Sequence, residues 1–126
     1  MITASFAAMM MAEQGAKVIK VEPMNIGDPM RYIGANKGGI SSLFANCNRG
    51  KQSIRVNLKE PEGQELIREL ISQVDVFIHN FRPGVMDKLN LGSEALRGLN
   101  PRLIYAAISG FGKEGPLGRA PAYDPI

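Results

Sequence analysis

Apolar positions recur with two periods along the chain. Ile2, Phe6, Met9, Met10 and Met11 fall at helical spacing, with Thr3 or Ser5 near the start and Gly15 as a stop, which predicts a buried core helix. Residues 17–22 then alternate apolar with charged side chains and end at Pro23, the pattern of a strand. From Pro23 to Gly39 the sequence turns to Gly, Pro, Asn and Met around Asp28 and Arg31, a long loop by composition. The patch 40–45 predicts a helical turn. After it, Gly50 allows a tight turn, and Arg49 and Lys51 set two cations beside a strand start. Residues 53–58 alternate as a half-buried strand. Pro61 and Glu62 open a helix whose apolar stripe is Leu66, Ile67, Leu70 and Ile71, closed by Gln73.

The stretch 74–84, VDVFIHNFRPG, organises the rest. Val74, Val76, Phe77 and Ile78 make a run too short for a helix, which predicts a buried strand. His79, Asn80, Phe81 and Arg82 follow, and Pro83 and Gly84 force a turn. Val85, Met86 and Leu89 predict a short helix, and Ser93 caps another ending near Leu99. Residues 103–108 form a second buried strand, whose exit is rich in glycine. Helices that run into strands with almost no loop indicate an α/β fold with a parallel sheet. A chain opening on a helix lacks the strand that should feed it, so residues are expected before Met1. Ligands of open α/β sheets collect outside the carboxyl ends of strands, which directs attention to residues 79–84. An amide, an aromatic ring and a guanidinium suit a flat base with phosphates; equally, they suit an ordinary strand exit with a solvated arginine.

Composition narrows the classes. A length of 126 residues fits one domain, 1–126, and 44% hydrophobic with 21% charged residues is globular. The net charge of +3 is spread along the chain, which argues against a nucleic-acid stripe and suits a phosphate-bearing small ligand. One cysteine, Cys47, and one histidine exclude an internal disulfide and a metal cluster, so no metal is expected and a reducing, cytoplasmic setting is the default. The amino end has no basic leader and meets Glu13 too early to span a bilayer.

Candidate motifs thin out on inspection. Residues 110–115 spell G-x-G-x-x-G after a strand, but Pro116, Gly118 and Pro121 prevent the helix that a dinucleotide fingerprint needs. Gly50-Lys51 lacks the spacing of a phosphate-binding P-loop. His79 has the pKa of a general base, yet a lone histidine at a strand end reads better as a hydrogen-bonded structural residue. Asp28 and Asp124 are better placed to cap turns than to attack a substrate, and Cys47 reads as a small buried filler.

Several segments together resemble the family III CoA-transferases, a family that includes formyl-CoA, carnitine and bile-acid CoA-transferases and the α-methylacyl-CoA racemases. They are residues 15–23 (GAKVIKVEP), 27–31 (GDPMR), 46–54 (NCNRGKQSI), 57–63 (NLKEPEG), 75–92 (DVFIHNFRPGVMDKLNLG), 99–116 (LNPRLIYAAISGFGKEGP) and 122–124 (AYD). The resemblance covers nearly the whole chain, as the amino-terminal third or so of a family member. It implies a Rossmann-like parallel sheet with flanking helices, lacking its first strand and its carboxyl-terminal part, in a subunit that interlocks with a second copy as linked rings. Ala4 and Ser5 stand where the family has Gly-Pro.

Acyl-CoA and a carboxylic acid are the implied substrates, with no covalently bound cofactor and neither nucleic acid nor membrane as partner. By position match, Asn80, Phe81, Arg82 and Val85 fall in the CoA-contact stretch, and Val56 and Lys59 in the strand-to-helix turn near adenine and the nucleotide phosphates. Lys88 takes a place often held by arginine, able to meet a phosphate as a point charge. Pro23 stands where some members carry a CoA-binding arginine. The family's aspartate nucleophile, which forms a mixed anhydride and then an enzyme thioester, aligns beyond Ile126, so the 126 residues alone are expected to be inactive. Racemases carry a histidine at the position of Tyr123; a phenol is a poor base at neutral pH, which favours CoA transfer. A racemase, or a non-catalytic CoA-binding chain acting with another polypeptide, are the rivals.

Overall fold

The computed structural model describes residues 2–118, 120 and 122. The chain divides into two compact units, residues 1–57 and 58–126. The first contains α1 (Ile2–Glu13), β1 (Val18–Glu22), a 3-10 turn (Pro29–Tyr32), β2 (Asn36–Lys37), β3 (Ile40–Ser41), α2 (Ser42–Asn48) and β4 (Lys51–Arg55). β1 and β4 pair in parallel, Val18 opposite Lys51 through to Glu22 opposite Arg55. A parallel pair needs a long crossover, and the segment carrying α2 supplies it.

α1 ends where the sequence placed its stop. Gly15 takes φ +98°, and the N–H groups of Gly15 and Ala16 donate to the carbonyls of Ala12 and Met11, each at 3.0 Å, closing the helix with a left-handed glycine cap. The expected full burial of α1 is not found. Ala4 and Met9 are buried, while Ile2, Phe6 and Met10 form a stripe that is 37–47% exposed. The helix is apolar on two faces, and the described residues cover one.

Three further boundaries differ from expectation. The helical turn expected at 40–45 forms from Ser42 as a helix reaching Asn48, while Ile40 and Ser41 before it pair with Lys37 and Asn36 in a short β2–β3 hairpin. Ser41 caps that helix by accepting the Phe44 N–H, an end signal hidden in an apolar run. β4 begins at Lys51 rather than 53, because positive-φ Gly50 completes the turn immediately before it. Arg49 and Lys51 each have partners of their own, Arg49 exposed and Lys51 half-buried. Arg49 binds Glu13 at 2.7 Å, and Lys51 donates to the Ser5 and Cys47 carbonyls and to Asn48 Oδ1 at 2.7–3.0 Å. Burial, with Lys20 close by, pulls the Lys51 pKa down to about 8.

The long loop after β1 is pinned by a buried carboxylate. Glu22, 1% exposed, accepts from Arg31 Nε (2.9 Å) and Nη2 (2.7 Å), from Ser53 Oγ (2.7 Å) and from the Asp28 N–H (2.8 Å). Asp28 caps the 3-10 turn by accepting the Met30 N–H, and its second oxygen binds Lys20 at 2.5 Å. The guanidinium of Arg31 lies 3.9 Å from the centre of the Phe44 ring. Gly27 is required: it takes φ +68°, and a Cβ there would sit 2.7 Å from Glu22 Oε2. Four charged-assisted contacts thus fix a segment whose composition alone reads as irregular.

The second unit contains α3 (Pro61–Ile71), β5 (Val76–His79), α4 (Val85–Lys88), α5 (Ser93–Leu99) and β6 (Ile104–Ala107). β5 and β6 are parallel, Val76 opposite Ile104 and His79 opposite Ala107. Asn100 joins the layers: its amide donates to the Ile71 and Val74 carbonyls, both at 2.9 Å, where α3 hands over to the strand. Ile67, Ile71, Met86, Leu91, Leu96 and Leu103 form the core, each at most 4% exposed. The two strands are less buried than expected, with Val76 39% and Ile104 61% exposed, because a two-stranded sheet offers the core one face. Ser93 is the first residue of α5 and makes no capping bond; Gly92 is the N-cap, where a Cβ would collide with the Asp87 carboxylate. No described helix is long and apolar enough to cross a membrane.

Candidate functional site

β5 delivers residues 79–82 to the surface at its carboxyl end, as an α/β fold does with ligand-contacting segments. The segment then turns through Arg82-Pro83-Gly84-Val85. The Val85 N–H donates to the Arg82 carbonyl at 3.1 Å, and Gly84 has φ +83° and ψ −11°. Proline first and a left-handed glycine second make this a type II turn. α4 follows at once and, past its C-cap Leu89, is closed by Asn90, whose φ of +55° and whose N–H bond to Asp87, with that of Leu91 to Met86, reproduce the left-handed cap of α1. Residues 76–91 are therefore a strand, a locked turn and a capped helical turn without slack between them.

The predicted contact residues distribute over this frame as follows. Phe81 is 48% exposed, Arg82 and Lys88 are exposed, and Asn80 and Val85 are half-buried. Among the described residues neither Arg82 nor Lys88 forms an ion pair, so both charges face solvent at no cost in broken partners. Lys59 is exposed in the turn that leads into α3 of the same unit. Val56 belongs to the first unit, where its N–H extends the ladder to the Glu22 carbonyl at 3.0 Å and its side chain is 5% exposed. Concavities of about 290 and 160 Å³ in the first unit are lined by residues 31, 35–37, 39–42, 44 and 45 and include none of the predicted contacts.

His79 is held as the sequence suggested, by a hydrogen bond, but with a partner that spacing alone does not reveal. Its Nδ1 accepts the Phe81 N–H at 3.2 Å. Phe77, Phe81 and Tyr105 surround the ring with centroids 5.3–6.2 Å away, Tyr105 edge-on. Nε2 is buried and has no hydrogen-bond partner among the described residues. Burial lowers the His79 pKa from 6.5, against the opposing pull of Asp87, and the same burial, with Asp87, raises that of Tyr105. Tyr105 is anchored through its hydroxyl to the Leu91 carbonyl at 3.1 Å. Cys47 is buried, as its filler reading requires, and Asp28 is a cap. Tyr123 and Asp124, on which the choice between racemase and transferase chemistry turned, lie outside the described residues.

The family model for CoA-transferase family III matches residues 1–126. The chain belongs to CoA-transferase family III. Curated family members agree: the acetyl-CoA:oxalate CoA-transferase of Acetobacter aceti is 46% identical over 96% of this chain, and the human α-methylacyl-CoA racemase 39% identical over 94%. Among solved structures, a CaiB/BaiF family protein from Brucella suis superposes with a TM-score of 0.90 at 40% identity over 98% of the chain. The chain spans 31%, 28% and 34% of these three proteins respectively. The family III fold accounts for the parallel strand pairs and flanking helices of both units.

Proposed function

We propose that these residues form the CoA-binding amino-terminal part of an enzyme that moves CoA from an acyl-CoA to a carboxylic acid. Family membership over the whole chain is the observation that carries this reading. The segment 80–88 supports it: an exposed ring at Phe81 suits stacking with a planar base, and the exposed cations of Arg82 and Lys88, without an ion-pair partner among the described residues, suit phosphates or a pyrophosphate. Arg82 can grip two oxygens at once, whereas Lys88 contributes a single charge. Lys59 and Val85 of the same unit complete the contact set. The attacking carboxylate comes from sequence outside these 126 residues, and the acceptor acid takes over the CoA after the covalent steps. The protein works in the cytoplasm as a dimer of interlocked subunits.

The identity to a racemase keeps one rival in view, and one experiment separates the two. Full-length protein is incubated in deuterated water with a chiral 2-methylacyl-CoA, with and without a carboxylate acceptor. CoA transfer to the acceptor without exchange at C2 is the expected outcome; C2 deuteration without transfer would replace the proposal with racemisation.

A further inference from the structure

The CoA-contact turn is built on a histidine that the proposed chemistry does not use. We infer that His79 is a positioning residue: as a neutral imidazole it fixes Asn80, Phe81 and Arg82 in their ligand-facing arrangement by accepting the Phe81 amide. The inference rests on the proposed CoA-binding reading of that turn.

The geometry gives the reason. An imidazole nitrogen that accepts an N–H must carry a lone pair, so the Phe81 bond to Nδ1 fixes the tautomer with its proton on Nε2. The bond spans two residues, so the side chain of His79 does what an asparagine or aspartate does in an Asx turn and closes the backbone over Asn80. Phe77 and Tyr105 contact the ring from β5 and β6, and the Phe81 side chain packs over it, so the ring cannot swing away without opening that cluster. The locked turn at Pro83 and Gly84 holds the other side of Arg82. The segment is thus constrained from both ends, and His79 supplies the only titratable constraint of the two.

Protonation reverses the contact. A proton on Nδ1 would meet the Phe81 N–H donor to donor, and the turn would have to open. The titratable groups facing the ring are Asp87 from α4, which favours the cation, and Tyr105 from β6, which is neutral in this range. Burial of the ring outweighs Asp87, which keeps the acceptor form in place at neutral pH.

The test uses full-length protein and CoA itself. Calorimetric Kd values are taken at a neutral pH and at an acid pH chosen below the midpoint read from the His79 ring's own NMR titration, since burial lowers that midpoint from its ordinary value. Wild type should bind about tenfold more weakly at the acid end than at the neutral end. His79→Ala should bind about five- to tenfold more weakly already at neutral pH, the worth of one backbone-ordering hydrogen bond. His79→Asn, whose Oδ1 can accept the same amide and does not titrate, should restore most of that loss and flatten the pH dependence left after the phosphates' own titration. An acid limb that persists unchanged in His79→Asn, or a His79→Ala protein that binds like wild type, would overturn the inference. Two readouts separate its failure from failure of the CoA reading. In ligand-free protein, the Phe81 amide nitrogen shift should titrate with the His79 ring in wild type and not in His79→Asn. Arg82→Ala should weaken CoA about tenfold at both pH values; if it does not while the Phe81 shift titrates, the binding reading falls and the positioning of the turn stands.

Discussion

Glu22 shows how far one side chain governs its surroundings. Arg31, first, and then the Ser53 hydroxyl and the Asp28 N–H hold its carboxylate against the cost of burial and lower its pKa from 4.5 to about 2. A carboxylate depressed in the folded state contributes stability above its unfolded pKa, and that contribution is lost as the pH falls from about 4.5 through about 2, where the unfolded chain takes up the proton first. The shift corresponds to about 3 kcal/mol. Denaturant melts of full-length protein between pH 5 and pH 2.5, against Glu22→Gln, should show the wild type losing most of that advantage on acidification while the variant, destabilised at pH 7, loses less. Parallel pH profiles for the two proteins would contradict the assignment. At this scale the sequence was informative about types and silent about partners: Asp28 reads as a turn cap from its setting, but nothing in the spacing joins its N–H, Arg31 and Ser53 around the Glu22 carboxylate, or Lys20 to its own carboxylate.

Elements were legible where their ends carry chemistry. Gly15, Pro61 and the Pro83-Gly84 pair mark boundaries because each fits one backbone geometry, and the structure puts boundaries there. The hairpin of β2 and β3 was not legible, since strands of two residues have no period to read and Ile40 is 60% exposed. The register of β4 slipped because alternation continues past its end into Val56, which stays on the ladder through its N–H alone. The same reasoning gives a prediction for the type II turn. Gly84→Ala forces a side chain into the left-handed region and should cost about 1–2 kcal/mol, read as a lower Tm of full-length protein, with CoA affinity reduced because Arg82 loses its fixed exit. An alanine variant with unchanged Tm and Kd would show that the turn is not under that constraint.

On the scale of the whole molecule, each unit leaves large apolar side chains and the edges of a two-stranded parallel sheet uncovered. Both parallel sheets have two strands, whereas parallel sheets ordinarily lie buried on both faces and extend further. Ile2, Phe6 and Met10 on α1, with Val76 and Ile104 on the strands, are exposed large hydrophobic residues. Residues 1–126 expressed alone should therefore bind a hydrophobic dye strongly and self-associate, and full-length protein should do neither; a monomeric, dye-silent preparation with a cooperative melt would refute this. The fold class, by contrast, was accessible from residues alone, because the alternation of strand and helix periods is a local signal that survives where a sheet is only two strands wide.

Gly27 carries an implication for how this segment tolerates change. Its missing side chain is the space that the Glu22 carboxylate occupies, so the two positions are not independent variables. A lineage cannot enlarge residue 27 first without ejecting the acid that organises the loop, and cannot shorten residue 22 first without stranding the Arg31 guanidinium. The pair forms a mutual lock, in which a change at either site is tolerated only together with a compensating change at the other.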